Sequence, residues 1–414
     1  GHTVPEIIEL RHATVVTPTH CVEDGRVIIT GDRIAHVGST PDRRLSRATT
    51  IDAEGLVLLP GIIDLHGDDI EHHYSPRAGA TMPLRSAVMT ADRLNLLNGI
   101  TTKFHAIAFE NPPDDERTLS TANALATEIT AADYTLADNR LHARCELTDE
   151  SIATVVAALA PEKIDLLSVM HHAPGEGQYD ADGFERHYHE DQHLSTDRVA
   201  RLANRRQSVP ESTREDRIAR IVDLADRAGA PLASHDDSSP AAVDRVDALG
   251  ATISEYPLTL DTIQRATERG LTTVMGAPNL QQGGSLSGNL DTDAAIDADC
   301  VDVLCADYHP PSLLAAPFVD TGEPLPTRVN RVTRNPADAV GLTDRGRIEV
   351  GARADLILVD PEPTPSVERV FVGGRAVAAV GSAGSVSTPT TRLLGDRIPA
   401  GAGRPRHGAA SSQR

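Results

Sequence analysis

The sequence predicts an α/β fold: a (β/α)8 TIM-like barrel joined to a small β-sandwich domain built from both chain ends. Three observations carry this reading. Strand-like apolar runs, rich in small and β-branched residues, recur between positions 56 and 310 as eight separate segments. Amphipathic helical stretches alternate with them. Short strands with turn signals flank the alternating region on both sides. A doubly wound sheet is the rival, but it usually has fewer strands and a glycine-rich first turn, which is absent here.

Positions 1–58 read as strands of the small domain. "GRVIITGDRIAHVGS" alternates apolar and polar residues around a Gly-Asp turn, a hairpin signal. The catalytic barrel is expected over 59–335. Its runs are "LVLLPGIIDLH", "GITTKFHAIA", "RLHARCEL", "IDLLSVMHH", "APLASHDD", "ATISEYPL", "LTTVMGAPN" and "VDVLCADYHP". Between them, "TADRLNLLNG", "SIATVVAALAPEK", "REDRIARIVDLADRAG" and "TLDTIQRATERG" have helical periodicity, and several close on a glycine. A polar, histidine-bearing insertion over 173–210 follows the fourth run. The strands "GRIEVGARADLILVD" and "VERVFVGGRAVA" return the chain to the small domain over 336–395. The Gly, Ala, Ser and Arg-rich stretch over 396–414 is expected to be a disordered tail.

The 414 residues are enough for one large domain and one small one. At 40% hydrophobic and 24% charged, the composition suits a soluble globular protein. No apolar run approaches the roughly 20 residues that span a bilayer, and no signal-peptide pattern opens the chain. Cys21, Cys145, Cys300 and Cys305 form no CxxC pair, which points to a reducing cytoplasm. The net charge is −21 and lysine occurs only at Lys103 and Lys163. Such a surface argues against a nucleic-acid partner and suits a salt-rich cytoplasm that screens self-repulsion. An anionic substrate would have to be met by local arginines.

Chemistry in such a barrel sits at the C-terminal ends of the strands. The first run ends in His66 and Asp68, which point the same way because strand side chains alternate. A core histidine beside a loop aspartate would look the same in isolation. The third run offers Glu146, the fourth His171 and His172, the fifth His235, Asp236 and Asp237, and the eighth Asp307 and His309. Histidines and carboxylates in these numbers make a first shell for Zn²⁺ or Mn²⁺, singly or as a pair.

In "RLHARCEL", Arg140, His142, Arg144 and Glu146 share one face, while Leu141, Ala143, Cys145 and Leu147 share the other. Within a barrel the charged face looks inward, so Glu146 can bridge two metals with Arg144 nearby for an anion. A solvated antiparallel edge strand would show the same alternation. After the seventh run, Gly283, Gly284 and Gly288 with Ser285, Ser287 and Asn289 offer backbone amides to a phosphate, or form a plain turn. Arg77 is a further candidate for the anion.

Taken with the β-pieces at both ends, "GLVLLPGIIDLH" and "GRIEVGARADLILVD" resemble the amidohydrolase superfamily of metal-dependent hydrolase barrels. "LHGDDIEHHYSPR", "GITT", "LHARCEL", "SHDD", "MGAPNLQQGGSLSGN", "ADYHPPSLL" and "VTRNPADAVGL" narrow the likeness to its family of α-D-ribose 1-methylphosphonate 5-triphosphate diphosphatases, from phosphonate catabolism. The resemblance covers nearly the whole chain apart from the tail. It implies hydrolysis of a small anionic triphosphate to a sugar 5-phosphate and pyrophosphate, with one or two divalent ions, zinc first and manganese second, at the barrel mouth.

The implied ligands are His66, Asp68, Glu146, His172, His235 and Asp307, with Asp307 also the general base. His172 is preferred to His171 because the related motif ends in one histidine there. Arg77, Arg144, Asp237, Gly284, Ser285, Gly288, Asn289 and His309 are the expected substrate contacts. The chain departs from the superfamily pattern: His66-x-Asp68 replaces His-x-His, and no lysine ends a suitable strand, so Glu146 stands in as the bridge. The superfamily draws later ligands from strands four, five, six and eight, whereas these come from three, four, five and eight. Glu255 in "ISEYP" is the reserve. A cyclic amidase or N-acyl deacetylase would use the same metals without a phosphate cradle, and a non-catalytic metal-binding barrel would tolerate an incomplete shell. The sequence leaves the ion count open, and the choice between monomer and homo-oligomer.

Overall fold

The computed structural model describes residues 6–110, 119–171, 184, 186, 195–381 and 386–387. His172, most of the insertion expected over 173–210 and the tail expected over 396–414 lie outside the described residues.

The N-terminal segment forms β1 (Ile7–Val16), β2 (Cys21–Thr30), β3 (Arg33–Ser39), β4 (Thr49–Asp52) and β5 (Val57–Pro60). The barrel strands are β6 (Ile62–Gly67), β7 (Ile100–Phe109), β8 (Asp138–Glu146), β9 (Leu166–Met170), β10 (Leu232–His235), β11 (Ile253–Glu255), β12 (Thr272–Gly276) and β13 (Val303–Cys305). After them come β14 (Leu356–Asp360), β15 (Ser366–Val372), β16 (Arg375–Ala379) and β17 (Val386–Ser387).

Both chain ends build one nine-stranded sheet, ordered β16-β15-β14-β5-β1-β2-β3, with β4 paired to β1 and β17. The ends meet where β14 runs antiparallel to β5, with Leu358 opposite Leu58. Strand alternation gives this sheet two apolar faces. Leu356 and Leu358 pack with Leu10, Val27 and Ile29 in the sheet's own core. Ile357 and Val359 turn the other way and pack with Ile62, Leu96 and Ile100 of the barrel. Each such aliphatic side chain contributes roughly 1.5–3 kcal/mol when fully buried, so the sheet is fastened firmly beside the barrel.

The eight barrel strands are parallel and adjacent in chain order from β6 to β13. The chain just beyond β13 closes on β6: Asp307 N–H donates to the His66 carbonyl at 2.9 Å, and Asp68 N–H donates to the Asp307 carbonyl at 2.9 Å. The segment "RLHARCEL" pairs in parallel on both sides, with β7 and with β9, and so belongs to the barrel wall. Leu141, Ala143 and Cys145 pack outward against Leu125, Ile129 and Ile221 from the surrounding helices. The helix Glu211–Ala228 ends at Gly229, whose φ of 62° is a left-handed cap that side chains with a Cβ resist.

Candidate active site

The register of the barrel places one interior row at its C-terminal end. His235 on β10 is opposite Glu255 on β11, and Glu255 is opposite Val274 on β12. On β8 and β9 the same parity selects His142, Arg144 and Glu146, opposite Leu166, Ser168 and Met170. β6 reaches this row through an irregularity. Its register with β7 slips between Asp64 and Gly67, where Lys103 and His105 are the partners, so three steps on β6 match two on β7. A bulge of this kind re-aims side chains. It leaves Asp64 and Gly67 facing Lys103 behind the wall, and sends His66 into the barrel.

Inside, Oε2 of Glu255 lies 3.3 Å from Nδ1 of His66 and 3.2 Å from Nδ1 of His235. The two imidazoles stack with centroids 5.5 Å apart and an interplanar angle of 12°. Tyr256 meets both rings edge-on, and its hydroxyl is 2.7 Å from the Cys305 thiol. Beneath them His142 Nδ1 donates to the Leu65 carbonyl at 2.9 Å, and its Nε2 accepts from the Ser168 hydroxyl at 2.9 Å. Burial dominates the titration of His66 and His142. It pushes His66 down to about 3, against the pull of the Glu255 carboxylate, and it lowers His142 as well. Neutral imidazoles are the metal-binding form.

A second group faces this one from β8 and β13. Burial, and next the charge of Asp68, push the Asp307 carboxyl well above its ordinary range, against Arg144. Burial opposes the charge on Arg144, but Asp68, Glu110, Glu255 and Asp307 outweigh it and keep the guanidinium charged. Asp236 and Tyr256 follow directly on strand ends, Asp307 one residue beyond, and all have positive φ, at 57°, 51° and 52°. Left-handed backbone at non-glycine residues is costly and concentrates at functional sites.

The other expected residues are placed as follows. Glu146 is buried at the end of β8, where its Oε1 accepts from Thr148 N–H at 3.2 Å and from the Thr148 hydroxyl at 2.8 Å. His171 turns to Arg214 of the helix Glu211–Ala228, 3.2 Å away. Asp237 is buried and accepts from the Ser234 hydroxyl at 2.6 Å. Arg77 is exposed beyond β6, and His309 Nδ1 is 2.6 Å from the Ser312 hydroxyl. In the Gly/Ser loop the backbone amides are committed within the loop and its flanks. Gly284 donates to Asn279 O, Ser285 to Asp291 Oδ1, Gly288 to Ser285 O and Asn289 to Ser285 Oγ. The backbone cradle expected at Gly284, Ser285 and Gly288 is therefore not preformed. The side chains are engaged as well: Asn289 Nδ2 donates to Ser287 Oγ at 3.1 Å, and the Ser285 and Ser287 hydroxyls are 3.4 Å apart.

Glu255, held in reserve at the sequence level, belongs to the central group. It is on the sixth barrel strand, and its signal is the Ile253/Glu255 alternation inside a three-residue strand. Lys103 carried no signal of its own. It is fully buried, with Nζ 2.7 Å from Asp64 Oδ2 and 2.7 Å from Asp69 Oδ1. Despite burial, these two carboxylates raise its pKa, and the ammonium in turn holds Asp69 down to about 2.

The donor set fits a divalent cation. One ligand atom each from His66, His235 and Glu255 lie within 4.8 Å of one another. Oε1 of Glu255 and Oδ1 of Asp68 are buried without a hydrogen-bond partner among the described residues. Carboxylate oxygens left so are expensive unless a cation answers them. Two imidazoles with carboxylates suit Zn²⁺ or Mn²⁺.

An eight-stranded parallel barrel with histidines and carboxylates at its C-terminal mouth, braced by a sheet from both chain ends, defines the metal-dependent hydrolases of the amidohydrolase type. The chain belongs to the amidohydrolase family, whose profile matches residues 313–378. It is 33% identical over 318 residues to the α-D-ribose 1-methylphosphonate 5-triphosphate diphosphatase of Escherichia coli (strain K12), covering 74% of this chain and 84% of that protein. Solved structures share the fold at lower identity. A prolidase complexed with N-methylphosphonate-L-proline has a TM-score of 0.59 at 16% identity, over 90% of this chain and 100% of that one. The β-aspartyl dipeptidase of Fervidobacterium islandicum has a TM-score of 0.56 at 15% identity, over 94% and 99%.

Proposed function

We propose that this protein hydrolyses α-D-ribose 1-methylphosphonate 5-triphosphate to the 5-phosphate and pyrophosphate, a step of phosphonate catabolism. One observation carries the reading: the similarity to the E. coli diphosphatase extends over 84% of that protein. The barrel-mouth group supports it, because phosphoryl transfer asks chiefly for positioning and for cations against developing charge.

His66, His235 and Glu255 would hold the metal, with Asp68 and, on sequence grounds, His172 as further ligands. When bound, a divalent ion, zinc first and manganese as the alternative, supplies Lewis acidity toward the phosphoryl oxygens and acidifies water. Asp307 accepts a proton from the attacking water at its carboxylate. The water oxygen bonds to the α-phosphorus, the bond from that phosphorus to the bridging oxygen breaks, and pyrophosphate leaves. Arg144 faces the same space and offsets charge on the phosphoryl oxygens. Arg77, Asp237, Ser285, Asn289 and His309 lie on the loops from which the rest of the substrate is read.

Among the described residues no helix is long and apolar enough to cross a membrane. The four unpaired cysteines favour a reducing, cytoplasmic setting. Following pyrophosphate release from this triphosphate tests the reading. Chelation is expected to abolish release, and Zn²⁺ or Mn²⁺ to restore it; undiminished release from thoroughly demetallated protein would refute metal dependence.

A further inference from the structure

We propose that Lys103 is a positioning residue for the metal centre: from behind the barrel wall, its ammonium pins the bulged segment 64–69 that presents His66 and Asp68 to the interior. The inference rests on the reading of these two residues as metal ligands. Lys103 itself faces away from the site, and its ammonium pairs with Asp64 and Asp69, neither of which is assigned to metal or substrate.

The geometry is specific. Asp64 and Asp69 bracket the segment, and each has an oxygen 2.7 Å from Nζ of Lys103. Gly67 lies between them, and a Cβ there would fall 2.0 Å from Nζ. The ammonium thus rests against the backbone at the one residue separating His66 from Asp68. The remaining oxygen of Asp64 accepts the N–H of His66 at 3.2 Å and the N–H of Ala306 at 3.0 Å. Ala306 immediately precedes Asp307, so one carboxylate ties both strands of the closing seam. The remaining oxygen of Asp69 accepts from Asn95 Nδ2 at 2.9 Å, anchoring the far end to the helix Leu84–Leu97. A bulge carries fewer ladder hydrogen bonds than a regular strand, and its side-chain directions are softer. Three buried charges are an expensive way to fill a barrel wall, where aliphatic residues serve equally well. Their contacts converge on the backbone that carries His66, Asp68 and Asp307. Partners of this kind, one step removed from a metal, tune its affinity about 10–100-fold.

The test is calorimetric titration of Zn²⁺ into the metal-freed full-length chain and two variants. Lys103→Met removes the ammonium. The triple change Asp64→Asn, Lys103→Met and Asp69→Asn removes all three charges while keeping shape, and guards against misfolding from two unpaired aspartates. The expected result is a triple variant with a cooperative melt, Zn²⁺ affinity about 10–100-fold weaker, and at saturating Zn²⁺ a lower kcat with unchanged KM. Zn²⁺ affinity equal to that of the unaltered chain would overturn the proposal. Failure of the triple variant to fold would overturn it too, since the lysine would then serve the barrel as a whole. Absence of Zn²⁺ binding by the unaltered chain would instead remove the metal-site reading on which the proposal stands.

Discussion

Oε2 of Glu255 stands 3.3 Å from Nδ1 of His66, although 189 residues separate the two in the chain. The contact spans the barrel interior from the first strand to the sixth, and His235 on the fifth strand shares the same oxygen at 3.2 Å. Glu255→Gln keeps the shape and removes the charge. It is expected to lower metal content at least tenfold and to abolish turnover, because a neutral amide is a poor ligand beside two imidazoles. Metal analysis after gel filtration is the check. Stoichiometric metal in the folded variant would exclude Glu255 from the centre.

Glu146 and Cys145 point to opposite sides of β8. Glu146 engages Thr148 at the mouth, and Cys145 is sealed among helix side chains. Cys145→Ala is expected to retain metal and to cost roughly 1 kcal/mol of stability, as a small buried truncation. Glu146→Ala distinguishes two arrangements. If Glu146 bridges the metals as the sequence suggests, metal content falls as it does in Glu255→Gln. If its work is to fix the loop through Thr148, metal content holds and kcat drops. Equal metal loss from Glu146→Ala and Cys145→Ala would contradict the facing of the strand.

Much of this arrangement was legible in the sequence, for identifiable reasons. The eight runs coincide with eight barrel strands because parallel strands buried on both faces read as apolar segments. Alternation predicts a common direction for His66 and Asp68, but β6 ends at Gly67, and the bulge that turns His66 inward depends on β7 and leaves no mark in β6 alone. Glu255 was hard to rank because β11 has only three residues, too few for a clear period. The Gly/Ser loop resembled an anion cradle in composition. Its amides are taken by Asn279, Asp291 and Ser285, a matter of tertiary hydrogen bonding that composition does not encode.

Acid should unfold the metal-free protein. Burial lowers the pKa of His66, to about 3, and those of His105 and His142. In the unfolded chain these rings titrate near about 6.5. Below that pH the unfolded state binds more protons, and stability falls by about 1.4 kcal/mol per pH unit for His66, with His105 and His142 acting in the same direction. Glu255 adds to the loss further down. Its burial, which would raise its pKa, is outweighed by His142 and His66, and its stabilising effect fades as pH falls through the ordinary glutamate range. Asp307, raised by burial and Asp68, acts in the opposite direction above the ordinary aspartate value. Burial lowers His73 as well and raises Asp165, Asp237 and Asp355, but the carboxyls' unfolded-state titration lies at about 4, below the window compared, while the rings' lies at about 6.5, inside it, so the rings set the sign. Urea melts at pH 7.5 and 5.5 are expected to show the lower midpoint at 5.5. An equal or higher midpoint there would mean that the imidazoles are not held neutral.

The most direct measurement is phosphorus NMR of the complete reaction with α-D-ribose 1-methylphosphonate 5-triphosphate. Cleavage between the α- and β-phosphorus atoms yields pyrophosphate and a sugar 5-phosphate in equal amounts, with no orthophosphate, and the methylphosphonate resonance keeps its ester environment. That is the expected spectrum. Orthophosphate accompanied by a sugar 5-diphosphate would contradict the proposed cleavage, because attack would then fall on the γ-phosphorus. An unchanged triphosphate spectrum in the presence of bound Zn²⁺ would contradict the proposed function itself.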